Sequence, residues 1–207
     1  MTSARYLQIT AWSLSFIVCL LAVLAWGQSY LWHISSSYQW FPLLGLLAFS
    51  LMWTHYISSV LRQRLGLERV VLAKYFEWTS WAVLVALFLH PGILIWQRFR
   101  DGYGLPPHSY ESYVAPSMAW ITLLGSVNLF IFLAYELRRL FGQRPWWKYM
   151  QQLTDLAMLG AFYHGLRLGG TIQLPWFKPI WYFYGLSLVG CLIYIYRAKF
   201  KSNKILS

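Results

Sequence analysis

Six apolar stretches, each about the length needed to cross a bilayer, constrain this chain more than any other feature. A spanning helix needs about 20 mainly apolar residues. The stretches cover Leu7–Trp26, Trp40–Leu61, Tyr75–Gln97, Ala115–Glu136, Met150–Leu168 and Pro179–Tyr196. The fifth is the most polar, because it contains Asp155, His164 and Arg167. The first has only Arg5 before it and no small-residue cleavage site, so it reads as a helix rather than a signal peptide. No repeat and no low-complexity segment is evident between the stretches. The expected fold is all-α: an integral membrane bundle of about six transmembrane helices, forming a single domain over residues 1–207. No soluble flavin or nucleotide domain is expected within it.

Composition supports lipid as the solvent. The chain is 58% hydrophobic and 11% charged, where a soluble domain carries about 25% charged residues. Its 13 Trp and 15 Tyr suit a protein with two membrane interfaces, where amphipathic rings concentrate. A net charge of +11 raises the question of nucleic acid. The basic residues sit in short clusters between apolar runs, as membrane loops do, which argues against it. Cys19 and Cys191 both lie inside apolar runs, far from any CxxC spacing, so a disulfide, a zinc site and an iron–sulfur cluster are not expected.

The basic residues also orient the bundle. One set of loops holds Arg5; Arg62, Arg64, Arg69 and Lys74; Arg138, Arg139, Arg144 and Lys148; and Arg197, Lys199, Lys201 and Lys204. The alternate set holds only Arg98, Arg100, Arg167 and Lys178. Thirteen against four predicts that both termini are cytoplasmic. A multi-pass protein of the cell inner (plasma) membrane is the expectation. The longest outer loop, Arg98–Val114, contains Gly102-Tyr103-Gly104 and Pro106-Pro107 and reads as turn-rich.

Ionisable residues at membrane depth are costly and are functional candidates by default. His33 and His108 fall in outer loops, but His55, His90 and His164 fall in predicted helices. His90 lies 16 residues after Lys74, and His164 lies 16 residues after Lys148. At about 1.5 Å per residue, both sit roughly 24 Å from the inner basic residue, in the outer half of a core about 30 Å thick. Two imidazoles at one level on parallel helices can ligate one heme iron from opposite faces. A bare metal would want three or four ligands, and no third His or Cys lies at this depth. Gly160, one turn before His164, would let a flat macrocycle approach the backbone. Arg167, three residues after His164 and nearer the outer surface, would meet its propionates. Pro91 directly follows His90 and would perturb the helix beside the ligand. The plainer alternative is that each histidine only hydrogen-bonds a neighbouring helix.

Three segments carry a family resemblance: the basic loop Arg62-Gln63-Arg64-Leu65-Gly66-Leu67, the run Leu87-Phe88-Leu89-His90-Pro91, and Trp147 followed by His164-Gly165. On these, the chain resembles the ferric reductase-like transmembrane domain family over roughly residues 50–170. That family includes NADPH oxidases, metalloreductases and the heme-binding membrane subunit of the bacterial methionine sulfoxide reductase system. In length the chain is similar to the last of these. The resemblance implies outer-heme ligands late in the third and fifth helices, which map onto His90 and His164. It also implies electron transfer across or within the membrane. The chain departs from the two-heme members at Gln151, where a histidine would stand 13 residues before His164, and at Phe76 and Glu77 in the third helix. One heme b is therefore expected.

Near the inner boundary, His55, Asp155, Gln151 and Glu77 form a candidate polar site for a quinone head, a flavin ring or a proton relay. A His55–Asp155 hydrogen bond joining two helices is the plainer account. The leading expectation is an electron-transfer component of an oxidoreductase system. It would take electrons from a cytoplasmic or quinone donor to an acceptor on the outer side, and a separate redox partner protein is expected. The alternative is a cofactor-free small transporter or assembly factor.

Overall fold

The computed structural model describes residues 2–30, 36–110, 113–136 and 143–205. His33, Arg138, Arg139 and Glu111 lie outside the described residues. Among the described residues there are six long helices: α1 (Ser3–Tyr30), α2 (Phe41–Arg64), α3 (Ala73–Arg100), α4 (Ala119–Glu136), α5 (Trp147–Leu168) and α6 (Phe177–Ile205). Short 3₁₀ turns make up the remaining regular structure. The expected all-α membrane bundle is what forms. Several helices run past the apolar stretches that predicted them, because their ends carry basic residues such as Arg62, Arg64, Arg98 and Arg100 that can reach the interface.

Five of the six helices are long and apolar enough to cross a membrane; α5 is the exception. Its polar residues include Lys148, Gln151, Gln152, Asp155, His164 and Arg167. The surface of the bundle is as diagnostic as its length. Phe16, Trp78, Phe130 and Leu186 are each at least two-thirds exposed, which in water would be an aggregation hazard and in lipid is ordinary.

The helices pack pairwise. α2 lies against α1, α3 and α6, and α4 lies against α5. Small residues let α1 approach closely, with Ala22 and Ala25 fully buried. The core joins these to Phe49 and Trp53 of α2, Met158 of α5, and Phe177, Trp181, Tyr184 and Leu188 of α6. A smaller cluster of Leu7, Ala11, Leu72 and Tyr75 closes the end where α1 begins. Beside it, the Tyr75 hydroxyl is hydrogen-bonded to Ser15 Oγ at 2.8 Å and to Thr54 Oγ1 at 2.7 Å. These bonds tie α1, α2 and α3 together without leaving a buried hydroxyl unpaired.

Candidate functional site

Between the two helix pairs lies a cavity of about 240 Å3, far more than a single water or ion occupies. His90 and His164 both line it. The two imidazoles are near enough to interact electrostatically.

Each ring is held in the same way. His90 Nδ1 lies 2.6 Å from the Phe41 carbonyl, and His164 Nδ1 lies 2.9 Å from the Ile121 carbonyl. A carbonyl can only accept, so each Nδ1 carries the proton. Each Nε2 is thereby left with its lone pair. This is the arrangement in which a backbone acceptor sets tautomer and ring angle for a histidine that ligates through its other nitrogen. Glycine makes room for both rings. A Cβ at Gly45 would lie 2.8 Å from His90 Cε1, and one at Gly125 would lie 2.6 Å from His164 Cε1.

The two halves of the site correspond residue by residue. On α2, Phe41 supplies the carbonyl and Gly45, one turn later, the clearance; on α4, Ile121 and Gly125 do the same, 80 residues on. Cavity-lining Pro42, Leu46, Ala48, Phe49 and Met52 recur at the same offset as Thr122, Ser126, Asn128, Leu129 and Phe132. Leu87, His90, Pro91, Leu94 and Ile95 of α3 correspond, 74 residues on, to Ala161, His164, Gly165 and Leu168 of α5 and to Gly169, which caps it. The bundle thus holds a two-helix repeat that sequence inspection misses. Most side chains have diverged, but Trp40/Trp120, the Leu-Leu-Gly of 43–45 and 123–125, and Gln63-Arg64/Gln143-Arg144 persist at the 80-residue offset, and Lys74-Tyr75/Lys148-Tyr149, Phe88/Phe162, His90/His164 and Leu94/Leu168 at the 74-residue offset. One half of the cavity is apolar. The other carries Thr122, Ser126 and Asn128, and Asn128 Nδ2 and Thr122 Oγ1 are buried without a hydrogen-bond partner among the described residues.

The other residues singled out from sequence go elsewhere. Gly160 does not line the cavity; it accommodates Asn128, whose Nδ2 would lie 2.7 Å from an added Cβ. Arg167 is exposed and also lies outside the lining, with Nη2 3.7 Å from Met118 Sδ. The inner polar residues are not gathered into one site. His55 Nε2 bonds Thr79 Oγ1 at 2.7 Å, and its ring packs edge-on against Tyr75 and Phe76. Asp155 instead accepts from Tyr56 and Tyr196, each at 2.8 Å, so the expected His55–Asp155 bond is replaced by two others. Gln151 and Glu77 are exposed. Gly45, Gly125, Asn128 and Thr122 were not singled out from sequence; the identities that recur at the two offsets, the Leu-Leu-Gly pair among them, were the available signal.

Among the described residues, no three of His, Cys, Asp or Glu come together as a metal site. A prosthetic group that needs only two protein ligands is the kind of occupant this donor set suits. Compared with protein-family models, with curated proteins and with solved structures, the chain matches none. What the fold defines is a multi-pass membrane helical bundle.

Proposed function

We propose that the cavity binds one heme b, with His90 and His164 as axial ligands, and that the protein is the membrane electron-transfer subunit of an oxidoreductase system. The observation that carries this reading is the matched pair of imidazoles. Each is held by a carbonyl through Nδ1, each keeps Nε2 unprotonated, and both line one cavity. Two histidines that served only to join helices would have no reason to share a cavity or to need a glycine behind each ring.

When bound, heme supplies a one-electron carrier. The chain's own part is to hold the two imidazoles neutral and oriented, to surround the site with apolar side chains such as Phe49, Leu94 and Phe132, and to exclude bulk water. The electron donor is a cytoplasmic partner or a membrane quinone, and the acceptor lies on the outer side of the inner (plasma) membrane. The ferric reductase-like resemblance supports the same assignment. The internal repeat removes one argument against a transporter, since many transporters are built from repeats. The paired, carbonyl-anchored histidines favour the redox reading. A visible spectrum of the purified protein, with and without dithionite, tests it: a bis-imidazole heme b spectrum is expected. A colourless protein from heme-replete cells would overturn it.

A further inference from the structure

Arg98 lies near the end of α3, eight residues beyond His90 and roughly 12 Å further along the helix axis. The loop after α3 folds back over it. Gly102 (φ 84°) and Gly104 (φ 76°) take left-handed conformations that favour glycine, and Tyr103 N–H donates to the Arg98 carbonyl at 3.0 Å. The Tyr103 ring then lies 3.5 Å from the guanidinium carbon. Stacking covers one face of the cation but gives its N–H groups no acceptor. Nε and Nη2 are buried and have no hydrogen-bond partner among the described residues.

Arg98 does not itself line the cavity, but its charge is close to two residues that do. Arg98 acts electrostatically on both Tyr38 and Tyr113, and both tyrosines line the cavity. Burial pushes the Tyr113 phenol above its ordinary value, its Tyr38 neighbour adds to the rise, and Arg98 opposes it. Tyr113 O–H donates to the Tyr38 oxygen, which leaves the Tyr38 O–H as the proton of the pair that can be offered to an anion. The acidic residues described do not neutralise Arg98. Asp101 accepts from Gln97 and lies beside Arg100, while Glu68, Glu77, Glu136 and Asp155 belong to the opposite end of the bundle.

We propose that Arg98, with the Tyr38 hydroxyl that Tyr113 orients, forms a carboxylate-binding site at the outer mouth of the cavity. A planar guanidinium with free, desolvated N–H groups matches a carboxylate in both charge and geometry. That chemistry has two sources: the propionates of a bound macrocycle, or a free carboxylate carried by an outer-side acceptor. The first source rests on the heme reading above; the second does not.

The test uses full-length wild type, Arg98→Gln and Arg98→Lys in detergent, with helical content checked by circular dichroism. One arm compares uptake of heme b and of its dimethyl ester by the heme-free protein. If propionates are held here, wild type should bind the ester about tenfold or more weakly than the acid, and Arg98→Gln should lose that discrimination. Arg98→Lys should retain part of it. The second arm needs no heme: succinate is titrated while thermal unfolding is followed. A free-carboxylate site predicts a rise in Tm for wild type and none for Arg98→Gln. If the protein takes up no heme, the heme reading fails and the second arm alone decides this proposal. Absence of both effects overturns it. So does a Glu111→Gln variant that matches Arg98→Gln in stability, with a double variant no worse than either, because the guanidinium would then be serving a residue of its own loop.

Discussion

A methyl group added at Gly125 would lie 2.6 Å from His164 Cε1 and 2.8 Å from its Nδ1, closer than real side-chain carbons come. The ring cannot swing away freely, because that same Nδ1 is bonded to the Ile121 carbonyl one turn earlier on α4. Gly125→Ala should therefore displace the imidazole and break its hydrogen bond. Helix propensity alone predicts the opposite sign, a gain of about 0.5–1 kcal/mol for Gly→Ala inside a helix. The expected result is a loss of bound heme of about tenfold or more, read from the visible absorbance per polypeptide. Gly45→Ala should behave alike at His90. Gly190→Ala, where nothing lies within 4 Å, should leave heme content unchanged. Equal heme in all three variants would sink the account of the glycines.

His90→Ala and His164→Ala should each abolish the bis-imidazole spectrum, since either leaves only one axial nitrogen. His108→Ala, in the outer loop, should keep it. His55→Ala should also keep it, because His55 does not line the cavity and its Nε2 is engaged by Thr79. A cost of about 0.5–1.5 kcal/mol in stability is expected there instead, from the lost His55–Thr79 hydrogen bond, while the Thr79 hydroxyl keeps its bond to the Tyr75 carbonyl at 2.7 Å. Loss of heme in His55→Ala, with the fold intact, would show that the inner helix ends couple to the cavity in a way the contacts do not suggest.

The helices were legible because lipid demands long apolar runs, and charged residues mark where each run stops. The level of His90 and His164 was legible because Lys74 and Lys148 give a common origin for counting along parallel helices. What held the two rings was not legible. Their acceptors, at Phe41 and Ile121, are backbone atoms, and every residue has a carbonyl. Gly160 was drawn in because it shares a helical face with His164, yet spacing along one helix does not say which neighbour fills the clearance. Asn128 fills it. Arg98 read as one of four outer basic residues, and its burial depends on the Gly102–Gly104 turn carrying Tyr103 back over it.

Asp155 accepts one hydrogen bond on each carboxylate oxygen, from Tyr56 on α2 and Tyr196 on α6. The carboxylate thus links three helices. Tyr56→Phe should cost about 1 kcal/mol or more, and Tyr196→Phe less, since Tyr196 is 36% exposed and its loss can be made good by water. Thermal unfolding in a single detergent checks the order. The same rank is expected in a cycle with Asp155→Asn, where Tyr56 shows the larger coupling. The reverse order would place the stronger contact at the exposed edge.

The thirteen-to-four division of basic residues predicts the side of each loop. A reporter fused after Ser207 should be active in the cytoplasm, and one inserted near Pro107 should report the opposite side. This arrangement requires α5 to cross the membrane despite its polar residues. It can do so because Asp155 and His164 are both hydrogen-bonded within the bundle rather than turned to lipid. Finding both reporters on one side would remove α5 or another helix from the membrane.

One heme per chain, not two, is the last expectation, and the repeat sharpens it. A second heme nearer the inner face would need its own ligand pair on α3 and α5. The residues 13 before His90 and 13 before His164 are Glu77 and Gln151, which correspond to one another at the same 74-residue offset as the histidines. Neither is an imidazole, and both side chains are exposed rather than directed into the bundle. His55 does not replace them, because it lies on α2, is bonded to Thr79 and is packed against Tyr75 and Phe76. A heme held only in the outer half leaves roughly 20 Å of a core about 30 Å thick between it and the cytoplasm. A quinone or a flavin from a partner is then the carrier to seek on the inner side. Pyridine hemochrome assay against amino-acid analysis should give one heme per polypeptide. A ratio of two would mean that a second pair of ligands forms from residues this packing keeps apart.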